Sequence, residues 1–153
     1  MKKIKHPFSL LIKPTSANCN LNCTYCFYKN KIDLHNKRKK MSDFILEKII
    51  KAYFKTNQSI YAFSWQGGEP TLMGIDFFKN VIKKQTKFAL PRTIISNSIQ
   101  TNGILINDTW SQFLKKYHFL VGVSLDGPKS IHNYYRKDHS GNPTFSKVLN
   151  GIK

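Results

Sequence analysis

Acidic residues are scarce in this sequence. Its 153 residues include 8 Asp and Glu against 25 Lys and Arg, which gives a formal net charge of +17. Such an excess usually indicates a polyanionic partner, and the basic run Lys37–Lys40 could contact nucleic acid. Lysine is, however, spread along the whole chain. A general composition bias therefore explains the charge better, and nucleic acid is not the expected partner.

Long apolar runs are also absent. No stretch approaches the roughly 20 residues of a membrane span. The apolar stretch Phe8–Ile12 ends at Lys13 and Pro14, which makes it too short for the apolar region of a signal peptide. We therefore expect neither membrane insertion nor secretion, and we predict a cytoplasmic protein.

Cysteine is confined to one place in the chain. Cys19, Cys23 and Cys26 lie within eight residues, and there are no others. An odd, crowded set without a signal peptide argues against a disulfide framework and indicates a metal or redox site. Hydrophobic residues at 41% and aromatic residues at 13% are sufficient for a packed core, which excludes general disorder.

The apolar pattern predicts four units, each a strand followed by a helix. This alternation implies right-handed βαβ units and one parallel sheet. A closed (β/α)₈ barrel takes roughly 250 residues, so four units form an open or partial barrel in a single α/β domain. The predicted strands are Phe8–Ile12, Ile60–Trp65, Thr93–Gln100 and Phe119–Leu125.

For two of the predicted helices, the sequence indicates which side faces the core. The second helix is expected to turn its phenylalanines inward and its lysines, Lys84 among them, toward solvent. The first helix begins after an N-cap at Ser42. Its apolar face is predicted to consist of Ile45, Ile49 and Tyr53, flanked by Leu46 and Ile50.

The cysteine spacing is Cys19-x-x-x-Cys23-x-x-Cys26, and thiolates this close in sequence can converge on one metal centre. Three ligands leave a tetrahedral zinc ion or a four-iron cluster one ligand short. His35 could complete a zinc site, but it lies nine residues away in a basic loop and fits poorly. The alternatives are a [4Fe–4S] cluster with one open iron, as in a catalytic metal centre, and three buried structural cysteines.

Each predicted strand ends in a polar or glycine-rich motif. Ligands bind at the carboxyl ends of parallel strands, so we expect these motifs to line one rim around one site. Glycines there would let a ligand approach the backbone, and two of the few acids, Glu69 and Asp126, fall on the rim. The scattered histidines are assigned no catalytic role. The motifs are the cysteine loop, Gly67–Pro70, Gln100–Gly103 and Ser124–Pro128.

These motifs resemble those of a known family. Cys19–Tyr28 is similar to the cluster loop of radical S-adenosylmethionine (SAM) enzymes, and Phe63–Leu72 is similar to their SAM-amino-group motif in its sulfatase-maturase form. Gln100–Gly103 and Val123–Pro128 resemble the next two strand ends of anaerobic sulfatase-maturating enzymes. The resemblance covers nearly the whole chain and keeps the order of the motifs.

The resemblance implies a [4Fe–4S] cluster held by the three cysteines, with SAM on its open iron. An electron from a donor such as flavodoxin or ferredoxin would cleave SAM to methionine and a 5′-deoxyadenosyl radical. That radical would abstract hydrogen from a Cys or Ser of a sulfatase polypeptide and lead to formylglycine. By the same resemblance, Gly67, Gly68 and Glu69 would hold the SAM amine, Ser124 and Arg136 its carboxylate or ribose, and Tyr28 and Gln66 would lie near the adenosyl group.

The sequence also departs from that family. Full-length members close a partial barrel of six βα units and add a C-terminal domain with auxiliary clusters. The resemblance therefore implies that residues 1–153 are the N-terminal portion of a radical SAM core domain, without that extension. The acid thought to take the substrate proton would lie beyond Lys153, so no catalytic residue is expected within this chain. Asn133, after His132, stands where relatives often have Asp.

Three alternatives to a sulfatase-maturating enzyme stay open at this point. The chain could be a catalytically silent, truncated remnant that acts as a binding module. It could be a radical SAM enzyme that modifies another peptide. An RNA-modifying radical enzyme rests on the basic charge alone.

Overall fold

The structure is a computed structural model that describes residues 7–29 and 40–153. Three features of the sequence lie outside these residues. They are His6, His35 and the first three residues of the basic run Lys37–Lys40.

The described residues form one four-stranded sheet in which all neighbouring strands are parallel. The order β1-β2-β3-β4 follows the chain, which confirms the predicted α/β fold of consecutive βα units. Ile60–Trp65 is a strand as predicted, and the other predicted strand ends lie within two residues of the observed ones. The strands are β1 (Leu10–Ile12), β2 (Ile60–Trp65), β3 (Ile94–Thr101) and β4 (Leu120–Val123).

Where the structure describes the chain, five α-helices and one 3-10 helix (Pro70–Met73) connect and follow the strands. The 3-10 helix and α4 were not predicted, because elements of one or two turns are too short to show an apolar period. No helix in the described part of the chain is long and apolar enough to cross a membrane. The helices are α1 (Asp43–Phe54), α2 (Ile75–Phe88), α3 (Asp108–Lys116), α4 (Lys129–Tyr135) and α5 (Phe145–Ile152).

The core lies between the sheet and helices α1 to α3. Alternate residues of β2, namely Tyr61, Phe63 and Trp65, are at most 1% exposed because they face these helices. The Trp65 indole N–H donates to Asn97 Oδ1 at 3.0 Å, and Asn97 in turn exchanges hydrogen bonds with Gln85 of α2. The polar atoms of this apolar layer are thereby satisfied.

The prediction of the apolar face of α1 was wrong: the buried face is rotated about the helix axis relative to the predicted one. Ile45 is 43% exposed, and Ile49 is only partly buried. The aromatic pair at the end of the helix determines the rotation, because the rings of Tyr53 and Phe54 pack on Tyr61 with centroid distances of 5.0 and 4.5 Å. The buried residues of α1 are Leu46, Ile50, Tyr53 and Phe54.

Lys84 is buried, contrary to the prediction that it faces solvent. It is 7% exposed, and its Nζ lies 3.0 Å from Asp43 Oδ2 and 2.7 Å from Glu47 Oε2 of α1. The two acids lie one turn apart on the side of α1 that faces α2, so the ammonium reaches them while its methylene stem covers apolar surface. The hydrogen bond to Glu47 outweighs partial burial and raises the pKa of Lys84.

We expect Lys84→Met to lower the free energy of unfolding by about 1 kcal/mol, because α1 and α2 lose a shared cation while the two acids keep contact with water. Lys79→Met in the same helix is the matched control. It removes an ion pair with Asp76 in which both side chains are exposed, and a change within about 0.5 kcal/mol is expected. Urea unfolding of both variants is the measurement, and equal effects would contradict the assigned role of Lys84.

Candidate functional site

The motif loops meet at the carboxyl ends of the strands, as predicted. From the end of β3, the Asn102 amide donates to Asn20 Oδ1 at 2.7 Å and lies 3.7 Å from Cys19 Sγ. From the segment after β4, Arg136 Nη1 lies 4.0 Å from Cys23 Sγ. The cysteine loop is thus contacted by segments more than 80 residues further along the chain.

The glycines after β2 pack against the cysteine loop. A Cβ on Gly68 would lie well under 3.0 Å from the carbonyl oxygen of Asn18, and Gly67 has a φ of 119°. Two hydrogen bonds of 2.8 Å hold the loop there, from Gly68 N to Ser16 O and from Glu69 N to Asn18 O. These glycines were predicted to let a ligand approach the backbone, whereas the close approach in the structure is to the backbone of the chain's own cysteine loop.

Glu69 is a buried carboxylate with protein donors on both oxygens. It is 1% exposed. Its Oε1 accepts from Thr71 N at 3.0 Å, Thr71 Oγ1 at 2.6 Å and Thr101 Oγ1 at 2.7 Å, and its Oε2 accepts from Asn102 N at 2.7 Å. A carboxylate offers about four lone-pair sites. The side chain therefore ties the β2 loop, the 3-10 helix and the end of β3 into one unit.

The three cysteines are free thiols, with Cys23 buried and Cys19 and Cys26 partly exposed. Burial raises the pKa of Cys19 to about 11 and also raises the pKa of Cys23, so both are protonated at neutral pH in the absence of a cation. Within residues 7–29 and 40–153, no three His, Cys, Asp or Glu side chains are already gathered as a metal site. Metal binding would therefore release protons and adjust the loop.

A cavity adjoins two of the cysteines. Cys19, Cys26, Tyr28 and Lys29 lie on its wall together with His139. The His139 Nε2 lies 2.9 Å from the Cys19 carbonyl oxygen, to which it can only donate. Tyr28, predicted to lie near the adenosyl group, thus shares this cavity with two of the cysteines, and His139, for which no role was predicted, lies there as well.

Arg136, Asp126 and Tyr25 form a polar group above Cys23. Arg136 Nε donates to Asp126 Oδ1 at 2.9 Å, and the Tyr25 hydroxyl donates to Asp126 Oδ2. Burial acts to raise the pKa of Asp126, but these two hydrogen bonds outweigh it and lower that pKa. Burial and the bond to Asp126 raise the pKa of Tyr25 to about 12. Asp126 binds only the Nε of the guanidinium, and Nη1 lies 4.0 Å from Cys23 Sγ.

His132 supports this group from behind. It is fully buried, its Nδ1 accepts from Asp126 N at 3.4 Å, and its Nε2 lies 3.1 Å from Thr144 Oγ1. The Thr144 hydroxyl donates to the Arg136 carbonyl at 2.8 Å. These partners require a neutral imidazole with its proton on Nε2. No role was predicted for His132, because its spacing from Asp126 and Arg136 has no local signature.

A family model described as the radical SAM superfamily matches residues 14–153. This range holds the cysteine loop and every later motif. The chain belongs to the radical SAM superfamily. The membership inferred from the motifs is thereby confirmed over most of the sequence.

Within the superfamily, this radical SAM chain is similar to anaerobic sulfatase-maturating enzymes. A cysteine-type anaerobic sulfatase-maturating enzyme of Clostridium perfringens is 49% identical over 144 residues, which are 93% of this chain and 39% of the relative. A serine-type anaerobic sulfatase-maturating enzyme of Bacteroides thetaiotaomicron is 43% identical over 149 residues, with 95% and 36% covered. The chain thus spans less than two fifths of the length of these relatives.

Solved structures agree with the fold. The structure described as native anSMEcpe with bound AdoMet and Cp18Cys peptide has a TM-score of 0.87 and 46% identity, and the match covers 96% of this chain and 39% of that one. A second, described as His6-tagged anSMEcpe with bound AdoMet, has a TM-score of 0.89 at the same identity. The prediction of a partial barrel of the radical SAM type is therefore confirmed.

The predicted ligand-binding residues of this radical SAM chain fall into three groups in space. One group lies on the cysteine loop, one follows β2, and one consists of the residues directly after β4 and directly after α4. Gln66, in the second group, is half-buried, and its backbone N–H donates to Ile12 O at 3.0 Å. The groups are, in the same order, Cys19, Cys23, Cys26 and Tyr28; Gln66, Gly67, Gly68 and Glu69; and Ser124 and Arg136.

We expect the stability of this radical SAM chain to fall as the pH decreases below about 6.5. Burial, followed by the charge of Arg136, lowers the pKa of His132 in the folded chain, whereas the unfolded chain keeps an ordinary value. Between the two values the unfolded state binds more protons, so each pH unit costs up to about 1.4 kcal/mol.

Urea unfolding between pH 7.5 and 5.5 measures this dependence. His132→Asn keeps an acceptor for Asp126 N and should remove most of the slope. His118→Asn, at an exposed position, is the control that should keep it. An unchanged slope in His132→Asn would show that another group titrates.

Proposed function

We propose that this chain forms the cofactor-binding part of a radical SAM oxidoreductase of the anaerobic sulfatase-maturating type. Its substrate is a Cys or Ser of a sulfatase polypeptide, which is oxidised to formylglycine. The observation that carries the proposal is the meeting of three free cysteines with the ends of β2, β3 and β4 on one rim. The peptide and AdoMet bound to anSMEcpe support it.

Cys19, Cys23 and Cys26 fit a [4Fe–4S] cluster by their chemistry. They are free, they lie on one loop, and three thiolates leave one iron open for a further ligand. When bound, the reduced cluster supplies the electron that splits SAM. The chain's own contribution is to fix the loop, which Gly68 and Glu69 do through their backbone bonds to Ser16–Asn18.

The remaining residues on the rim suit the two ends of SAM. A zwitterionic amino acid needs a cation for its carboxylate and acceptors for its ammonium. Arg136 would meet the carboxylate through its terminal nitrogens, because Asp126 binds only Nε and the contact of Nη1 with Cys23 Sγ is long, at 4.0 Å. The ammonium would meet the Gly67 and Gly68 carbonyls and the remaining lone pair of Glu69. Ser124 would contact the carboxylate or ribose, and the adenosyl group would lie near Tyr28 and Gln66.

The charge of the chain suits the partner that delivers the electron. A formal net charge of +17 attracts acidic proteins and speeds their encounter. We include in the proposal a small acidic electron donor of the flavodoxin or ferredoxin type. A reducing cytoplasm would keep the three thiols free for iron.

The test is anaerobic reconstitution with iron and sulfide, followed by dithionite and SAM, with and without a peptide containing the sulfatase motif. We expect about four irons per chain and the release of 5′-deoxyadenosine. Cys23→Ala should lose the cluster, because alanine offers no ligand. Thr24→Ala is the matched control. Thr24 is the next residue and its side chain is exposed, and the substitution keeps the hydrogen bond from its backbone N–H to Tyr135 O. A wild-type chain that takes up no iron would refute the proposal.

A silent binding module is the second candidate function, and the edge of the sheet favours it. Among the described residues, β4 pairs only with β3. Leu120 on this edge is 74% exposed and Val121 is 38% exposed. An apolar, unpaired strand is a surface to which another polypeptide can add. A chain that loads iron and binds SAM, but releases no 5′-deoxyadenosine after reduction, would favour this candidate.

A further inference from the structure

Gln100 lies on the exposed face of β3 and reaches across to β4. Its Nε2 donates to Ser124 Oγ at 3.1 Å. The strand register pairs Gln100 with Gly122, so the side chain crosses the glycine on its way to the serine. Gln100 is not one of the proposed SAM contacts.

Gly122 is required for this crossing. A Cβ at that position would lie well under 3.0 Å from Gln100 Oε1, a separation that real Cβ contacts do not show. The φ of Gly122 is not in the left-handed region, so the backbone conformation alone does not demand glycine. Glycine is needed at position 122 because the Gln100 side-chain amide occupies the space that a Cβ would fill.

The bond from Gln100 determines what Ser124 can offer a ligand. The backbone of Ser124 is fixed because its N–H donates to Thr101 O at 2.9 Å. The Ser124 Oγ accepts a hydrogen bond from Gln100, so Ser124 does not donate its single hydroxyl proton to Gln100. Ser124 can then donate this proton to an acceptor on the rim.

We propose that Gln100 is a positioning residue that makes Ser124 a hydrogen-bond donor to an oxygen of bound SAM. The inference rests on the proposed function and deepens it. The ligand atom opposite Ser124 must be an acceptor, such as a carboxylate or ribose oxygen, and not the ammonium. Gln100 acts through Ser124 and does not itself contact SAM.

A double-mutant cycle tests this arrangement. The affinity for labelled SAM is measured by equilibrium dialysis on the reconstituted, unreduced chain for Gln100→Ala, Ser124→Ala and the double variant. Each single substitution should weaken binding by about tenfold, and the double variant should be no weaker than Ser124→Ala. Losses that multiply to about a hundredfold, or no loss in Gln100→Ala, would overturn the inference.

Three further variants separate positioning from general damage. Gln100→Glu has the same shape but only acceptors, so it turns the Ser124 proton away from the ligand and should weaken SAM binding as Gln100→Ala does. Gly122→Ala should weaken SAM binding to the same extent, because the new methyl group displaces the Gln100 amide. Ser98→Ala is the control, because Ser98 lies on the same face of β3 and bonds to Ser64 instead. SAM binding by Gln100→Glu at the wild-type level would overturn the inference.

The outcomes distinguish this inference from the proposed function. If the reconstituted wild-type chain binds no SAM, the proposed function fails and the inference falls with it. If the wild type binds SAM and the losses are independent, only the inference fails. Thermal unfolding of each variant shows whether a loss of affinity follows from a loss of structure.

Discussion

Gly68→Ala should reduce iron incorporation at least about tenfold. The new Cβ would overlap the Asn18 carbonyl group and the Ala17 carbonyl carbon, all at less than 3.0 Å. These are backbone atoms, so the overlap can be relieved only by moving the segment that leads into Cys19. Such a shift also breaks the bonds from Gly68 N to Ser16 O and from Glu69 N to Asn18 O. Iron and sulfide per chain after anaerobic reconstitution are the measurement.

The control for Gly68→Ala is Gly74→Ala. Gly74 has a φ of 80°, and a Cβ there would meet nothing within 4 Å. Alanine at this position strains the backbone by about 1–3 kcal/mol, because φ of 80° with ψ of 159° is a region that glycine alone adopts readily, but it leaves the cysteine loop untouched. We expect normal iron content in Gly74→Ala. Normal iron content in Gly68→Ala would mean that the position of the loop against β2 is not needed for the cluster.

The fold was predictable where a pattern is local. From Tyr61 to Trp65 the second strand alternates aromatic and small residues, and Ser42 caps α1 as predicted, with its side chain accepting from Ile45 N. The rotation of α1 was not predictable, since it depends on which rings meet Tyr61 across the core. Lys84 was mispredicted for the same reason, because its acids belong to another helix.

The candidate site was also predictable in part. That the motif loops share one rim follows from the carboxyl ends of parallel strands. The contacts of Gly68 and Gln100 join segments that are distant in sequence, and the partners of His132, 6 and 12 residues away, follow no regular spacing. The departure at Asn133 is harmless for folding, because its Oδ1 accepts from Phe145 N at 3.0 Å and an aspartate would offer the same kind of oxygen.

Glu69 gives the second large effect that we expect. Glu69→Ala leaves the Asn102 N–H, the Thr71 N–H and the Thr101 hydroxyl without the acceptor they use in the folded chain. Buried donors that lose a charged partner cost about 1–3 kcal/mol each, and partial repair by water reduces the sum. We therefore expect a loss of about 3–5 kcal/mol in the free energy of unfolding. Urea unfolding followed by tryptophan fluorescence measures it.

Glu69→Gln distinguishes a brace between loops from a ligand group. The amide keeps one carbonyl oxygen for Thr71 and Thr101 but turns an NH₂ toward the Asn102 N–H, so two donors face each other; a loss of about 2 kcal/mol is expected. Asp76→Asn, on an exposed side chain, should change stability by less than about 0.5 kcal/mol. If Glu69→Gln were as stable as that control yet bound SAM more weakly, the carboxylate would serve the ligand directly. If stability and SAM affinity fall together, Glu69 acts by holding the β2 and β3 loops in the positions from which the other residues reach SAM.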